Sequence, residues 1–509
     1  MRSDNRTCII VASNRGPVSF STDASGRPVA RRGSGGLVTA LGSALETTGG
    51  LWLAAAMSEE DRMRAGRTLE EATVGAGYRV RLLAFEPEDY AGFYDGVSNR
   101  VLWFLHHSLW DIPREPTFAG FAGAWEQYQT VNEGFARVLE QEGRSVAGRE
   151  VYLVQDYHLA LVPVLLRGRR REARIAYFSH IPFTGPGGLL VLPHPVREAL
   201  LAGMLGADVV GFQAAQWAEN FLLCCRMLPE ARVDLRRGVV RWDGREVRVR
   251  VYPISIDPVA LREAAASDRA AAARSELARW VDGRTLLLRV DRAELSKNIL
   301  RGFAAYERFL ERNQQWLGRI VFLALLNPSR QHLSEYRAYA AECLEAARGI
   351  NERFGGPHWE PVRLSLEDDH PRVLAAYGLY DALLVNPVFD GMNLVAKEGP
   401  VLNERGGVLI LSENAGAFAE LGRHAVGVNP FDVEATARAI EAAVQMDPAE
   451  RRRKARGLQA AVAANPVDRW VHAQVEDLER LPRSPARALT SRRAAPRARP
   501  GAPRPRPPR

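Results

Sequence analysis

NPVFDGMNLVAKEG, residues 386–399, follows the apolar run Ala382–Val385, and the fold of the whole chain turns on it. Four consecutive apolar residues bounded by turn formers read as a buried strand. Asn386-Pro387 stops that strand, Asp390-Gly391 is a turn pair, and Asn393–Asn403 has a helix pattern. A strand, a polar turn and a helix start place Asp390 and the backbone N–H groups of Gly391–Leu394 at the carboxyl end of a sheet strand. Open α/β sheets bind ligands at that rim, and helix N-termini there attract anions. Glu398, about one and a half turns into the helix, can face the same cleft. A plain βα turn with a capping aspartate has the same pattern, so the rest of the chain must decide between them.

The same unit recurs. Cys8–Ala12 is a strand leading to Arg15. Val151–Val154 ends in Gln155-Asp156-Tyr157-His158, and Ile175–Ser179 ends in His180. Asp208–Phe212 is a further strand, and Val247–Tyr252 runs into a connection at Pro253–Asp257. A second set begins at Thr285–Val290, which leads to Arg292 and Lys297, and Ile320–Leu326 leads to Arg330. Val362–Leu366, Ala382–Val385, Val408–Leu411 and Ala425–Val428 alternate with helical segments. Strand–helix units on both sides of residue 255 predict an α/β protein: two Rossmann-like domains with parallel sheets facing a central cleft. The expected division is 1–255, 256–482 and a tail at 483–509. The helices at 448–463 and 467–481 close the folded part, and the last can pack back on the N-terminal domain.

A chain of 509 residues with 46% hydrophobic and 25% charged residues has room for two soluble domains. It has no apolar stretch of the ~18 residues that would span a membrane, and its first residues lack a signal-peptide core. A cytoplasmic protein without a membrane partner is the expectation. The four cysteines have no metal-ligand spacing, and Cys224-Cys225 sits in an apolar helical run, so reduced core thiols are expected. The net charge of +8 is carried by the tail: its nine arginines come with no acidic residue, and without them the rest stands at −1. The Pro/Arg/Ala-rich tail cannot build a core and is expected to be disordered. Nucleic acid is not an expected partner of the folded body, and a homo-oligomer is left open.

Chemistry-bearing side chains gather at strand ends in both halves: Arg15, Asp156 and His180 in the first, and Arg292, Lys297, Arg330 and Asp390 in the second. Each basic residue alone is more often a surface charge. Together at the rims of two sheets they suit phosphate groups, with Arg292 and Lys297 as a diphosphate pair. Gly33-Ser-Gly-Gly36 opens a helical stretch, a design that lets backbone N–H groups approach a phosphate. Among the aromatics between Leu82 and Phe104, Tyr94 and Trp103 flank Ser98-Asn99 and are candidates for a polar pocket as well as for core.

Six motifs in this order are specific: SNRGPV (13–18), VQDYHLALVP (154–163), FSHIPF (178–183), VDRAELSKNI (290–299), DGMNLVAKE (390–398) and LSENAGA (411–417). By them the chain, from about Ile9 to Leu481, resembles the trehalose-6-phosphate synthase family, retaining glycosyltransferases of the GT-B fold. The resemblance implies a nucleoside diphosphate glucose as donor (UDP-, GDP- or ADP-glucose), glucose 6-phosphate as acceptor, and no metal or other cofactor. Arg292 and Lys297 would bind the donor diphosphate, helped by backbone at Gly391, Met392, Asn393, Leu394 and Val395. Glu398 would hold the ribose, Asp390 and His180 the donor sugar, and Gly35 and Gly36 would close over the donor. Asp156 would sit at the reacting sugars, and Arg15, Tyr94, Trp103 and Arg330 would hold the acceptor phosphate. The catalytic set implied is Asp156, His180, Arg292, Lys297 and Asp390.

Three positions depart from the family pattern: Ala55 where a second tryptophan is common, Phe389 where arginine precedes the D-G-M-N motif, and Thr184 where a proline ends H-I-P-F-P. They flank the sugar pockets and keep other acceptors in view, namely glycerol 3-phosphate or a cyclitol phosphate. A sugar-nucleotide epimerase is a more distant alternative. It would have no use for a second phosphate site.

Overall fold

The structure is a computed structural model, which describes residues 7–22, 27–33, 36–69, 77–112, 118, 120–146 and 149–481. The tail and Gly35 of the glycine loop lie outside the described residues.

Seven parallel strands form the body of the first sheet: β1 (Thr7–Ser13), β2 (Leu51–Ala55), β3 (Arg79–Leu83), β4 (Arg149–Gln155), β5 (Arg174–Ser179), β6 (Val209–Phe212) and β7 (Arg245–Val251). They lie in the order β7-β6-β5-β4-β1-β2-β3. Six parallel strands form the second: β8 (Thr285–Arg292), β9 (Ile320–Asn327), β10 (Val362–Leu366), β11 (Ala382–Val385), β12 (Val408–Ser412) and β13 (Val426–Val428), in the order β10-β9-β8-β11-β12-β13. Each order reverses direction beside its first strand, between β1 and β4 and between β8 and β11. Where the connections leave to opposite sides, a crevice opens at the carboxyl ends.

Covered on both faces, the central strands are nearly continuous apolar runs. Val11, Leu153, Leu287 and Leu383 are wholly buried. Arg289 in β8 is the exception, a fully buried arginine bonded to Asp291, the Lys297 carbonyl and Asn386.

The first sheet is not wholly parallel. Strands Arg232–Asp234 and Val239–Trp242 extend it antiparallel beyond β7, and Thr68–Leu69 does so beyond β3. The two-residue turn Asp243-Gly244, with φ of 48° and 72°, joins Val239–Trp242 to β7. Asp-Gly is the residue pair that such a hairpin turn requires. One helix start also differs from the periodicity. Asn393 takes φ 78°, so the helix after the opening stretch runs Val395–Leu402 and Glu398 lies in its first turn. Gly92–Leu102 winds as a π-helix, a form that concentrates at functional sites.

The two halves touch at the rims. Trp217 donates its Nε1 proton to the Gly391 carbonyl at 3.1 Å. A Cβ on Gly391 would stand 1.8 Å from the His180 carbonyl oxygen, so only glycine fits there. The last helix, Val467–Glu479, lies on the first half. Arg174 of β5 donates to the Leu478 carbonyl at 2.6 Å, and Trp470 meets Phe178 edge-on at 4.9 Å.

Candidate active site

At the reversal point of the second sheet, β8 delivers Arg292 and a short turn delivers Lys297, while the loop after β11 delivers Asp390. Lys297 Nζ pairs with Asp390 Oδ2. Burial pushes the Asp390 carboxyl up, but Lys297 outweighs it and holds it below the usual range. Asn393, in its left-handed conformation, adds a 3.1 Å bond to Asp390 Oδ2. Main-chain bonds from Gly416 to the Asp390 carbonyl (3.1 Å) and from Ala417 to the Met392 carbonyl (2.8 Å) fix the loop. Glu398 receives the Tyr377 hydroxyl at 3.1 Å, and its burial raises its pKa.

Glu294, between Arg292 and Lys297, carries no sequence signal apart from its neighbours, yet it organises the cluster. Its Oε1 accepts from Arg292 Nη1 (2.9 Å), Arg330 Nη1 (3.0 Å) and Ser329 Oγ (2.7 Å). Burial works against its charge. Arg292, Arg330 and Lys297 overcome that and hold its pKa at about 2. Arg292 keeps 55% of its side chain exposed, so one guanidinium edge is open to a ligand.

Arg330 belongs to the second half but faces the first. Its guanidinium lies over Trp103 at 5.1 Å and reaches the Tyr157 hydroxyl at 3.4 Å. Its Nε is buried without a partner among the described residues. Trp103 itself is buried, stacked on His107 at 4.2 Å, and thus backs Arg330 rather than opening to solvent. Tyr94, on the π-helix, stacks on Tyr90 at 5.6 Å and on His158 at 5.8 Å. Arg15 is exposed beside Asn14, whose Oδ1 accepts from the Tyr90 hydroxyl at 3.1 Å.

At the reversal point of the first sheet, Asp156 takes φ 72° and ψ 167°, a region that costs on the order of 1–3 kcal/mol for a non-glycine residue. Two bonds enforce it: Asp156 N–H to the Phe178 carbonyl (2.7 Å) and His180 N–H to Asp156 Oδ1 (3.0 Å). Burial raises the Asp156 carboxyl to about 6, against the pull of the His180, Tyr157 and Ile181 N–H groups and of Arg330. His180 is pushed down to about 3 by burial and stays neutral.

The structure therefore brings Asp156, His180, Arg292, Lys297, Arg330, Asp390 and Glu398 to the facing rims, with Trp103 behind Arg330. Gly36 begins the helix Gly36–Thr48, and Gly391, Met392, Leu394 and Val395 line the start of the other. Sequence reasoning passed over Arg289 and Glu294. The charge of Arg289 in an otherwise apolar strand was the available signal. A set of unlike charges at the ends of parallel strands, buried except at Arg292, can bind two anionic groups and neutralise a leaving phosphate.

The model of glycosyltransferase family 20 matches residues 7–480. A trehalose-6-phosphate synthase from Mycolicibacterium smegmatis is 36% identical over 484 residues, 92% of each chain. A validamine 7-phosphate valienyltransferase from Streptomyces hygroscopicus subsp. jinggangensis is 30% identical over 480 residues, 92% of this chain and 94% of its own. The crystal structure of a UDP-forming α,α-trehalose-phosphate synthase from Burkholderia xenovorans in complex with glucose-6-phosphate superposes with TM-score 0.80 at 29% identity. It covers 93% of this chain and 100% of its own. The fold is GT-B, two α/β domains with sheets that are mostly parallel.

Proposed function

The chain belongs to glycosyltransferase family 20, and from that premise we propose that it transfers glucose, with retention, from a nucleoside diphosphate glucose to glucose 6-phosphate, giving α,α-trehalose 6-phosphate. The observation that carries this reading is Arg330, a buried cation of the second half that faces Trp103 and Tyr157 of the first. It supplies a second cation beside Arg292, with which it shares Glu294 Oε1, and it is turned toward the first half, away from Lys297 and Asp390. A donor diphosphate and an acceptor phosphate each then find a cation cluster.

In this reading Arg292 and Lys297 take the diphosphate, with the backbone from Gly391 to Val395 at its other side. Glu398 faces the ribose, Asp390 the donor-sugar hydroxyls and His180 the same sugar. Arg330 and Arg15, framed by Tyr94 and Trp103, take the acceptor phosphate, and Asp156 lies between the sugars. Asp390 is tied to Lys297 and Asn393, which leaves it poorly suited to attack an anomeric carbon. The acceptor hydroxyl instead attacks from the face the diphosphate leaves. The leaving phosphate oxygen takes the hydroxyl proton, and its charge falls on Arg292 and Lys297. Holding both sugars in a closed cleft supplies the rest of the acceleration. The expected residence is the cytoplasm, and no helix among the described residues is long and apolar enough to cross a membrane.

A second reading follows from the likeness to the valienyltransferase: the same donor site serving a cyclitol phosphate acceptor. Phe389 packs on Trp217, with ring centroids 6.0 Å apart, where the family commonly has an arginine. The test is an activity matrix of UDP-, GDP- and ADP-glucose against glucose 6-phosphate, glycerol 3-phosphate and a cyclitol phosphate. Trehalose 6-phosphate from one or more donors is expected. Faster transfer to the cyclitol phosphate would replace the first reading with the second.

A further inference from the structure

Three neighbouring strand ends carry a row of side chains: Gln155 closes β4, His180 follows β5 and Gln213 follows β6. One backbone group fixes the hydrogens of the whole row. The N–H of Ile254 can only donate, and it lies 2.8 Å from Oε1 of Gln213. The Gln213 amide therefore turns its NH2 toward His180, whose Nδ1 is 3.4 Å away. That nitrogen must accept, so the ring proton sits on Nε2, 2.9 Å from Oε1 of Gln155. The Nε2 of Gln155 is left buried without a partner among the described residues.

Ile254 lies in the segment joining β7 to the helix Pro258–Ala265, the first of the two places where the chain crosses between the halves. Its carbonyl accepts from Nζ of Lys397 at 2.7 Å, and Lys397, fully buried beside Glu398, also pairs with Glu420 at 2.8 Å. The crossing residue thus has its N–H held by the first half and its carbonyl by the second. A rotation of one half against the other that moves Ile254 must pull on Gln213, and through it on His180.

We propose that Gln213 is a positioning residue that locks His180 in its Nε2–H tautomer only while Ile254 is seated, coupling the arrangement of the two halves to the face His180 shows the donor sugar. The donor placement rests on the proposed function; the tautomer does not. Few charged groups surround the ring. Asp156 accepts the His180 backbone N–H and His158 interacts with it electrostatically, while Phe178 (4.7 Å) and Trp470 (5.5 Å) cover it. From the second half, Gly391 lies against the His180 backbone carbonyl rather than the ring.

The test is nitrogen NMR of the full chain labelled with 15N-histidine, without substrates, using His180→Asn to assign the signal. Wild type should show an unprotonated Nδ1 and a protonated Nε2 from about pH 5.5 to 8. Gln213→Glu keeps an oxygen for the Ile254 N–H but replaces the donor to Nδ1 with a carboxylate, so His180 should become imidazolium near pH 7. Its donor KM should then rise by about tenfold or more between pH 8 and 6, while Gln213→Met, which loses both bonds, has a raised KM without that pH dependence. A wild-type ring protonated on Nδ1, or a Gln213→Glu ring still neutral at pH 6, overturns the proposal. Because the tautomer is read in the wild type, with His180→Asn used only to assign the signal, a misfolded Gln213 variant does not rescue it. The expected tautomer in a chain that transfers no glucose would refute the function and leave this inference standing.

Discussion

Replacing Glu294 with glutamine removes one charge and little else, because its three donors all converge on Oε1, which an amide oxygen can replace. A carboxyl held at about 2 instead of its ordinary 4.5 contributes about 3 kcal/mol of stability at neutral pH. Glu294→Gln should lose about that much, the size expected when a buried cation such as Arg330 loses its counter-charge. The sign follows from the lowered value. The contribution is complete above about pH 5 and fades as pH falls from 4.5 toward 2, where both states are protonated. Denaturant midpoints followed by tryptophan emission, with Trp103 beside Arg330 as a local reporter, measure the difference from pH 8 to 3. Saturating glucose 6-phosphate should stabilise the variant more than the wild type, since its phosphate brings back the missing negative charge. Equal midpoints at pH 7, or a deficit that does not shrink in acid, would refute this account of the cluster.

Arg292→Met or Lys297→Met should lower turnover by about 100-fold or more, the usual cost of removing one group that meets developing charge; initial rates at saturating substrates check this. Asp156→Asn should abolish most transfer yet stabilise the fold. A carboxyl raised to about 6 binds its proton more tightly when folded, so it destabilises above pH 6 by about 3 kcal/mol, an effect absent below pH 4. Urea midpoints at pH 8 and 4 test the sign. Gly391→Ala should cut activity severely, because its methyl group would collide with the His180 carbonyl at 1.8 Å and force the two rims apart; scattering of the variant should show a larger radius of gyration.

The alternation of apolar runs with polar strand ends made both Rossmann-like halves legible, since strands covered on two faces have no other way to be written. The rim positions of Asp156, His180, Arg292 and Asp390 were legible for the same reason: a side chain just past a buried run has one place to go. Partners that meet across long sequence separations were not. Glu294 meets Arg330 through a 36-residue separation and Trp217 meets Gly391 through 174, and neither pairing leaves a periodic trace. The antiparallel edge was readable from Asp243-Gly244 but was passed over. The late helix start at Val395 could not be read, because asparagine tolerates left-handed backbone without demanding it.

The return of the last helix to the first half has a consequence for how the protein is made. Trp470 and the carbonyls of Leu478 and Glu479 complete the packing around β5, a strand synthesised about 300 residues earlier. During synthesis that sheet face waits, apolar and open, until the second half has emerged and folded. The N-terminal half therefore gains its final cover only after the chain through the last helix has been made, not on completion of its own sheet.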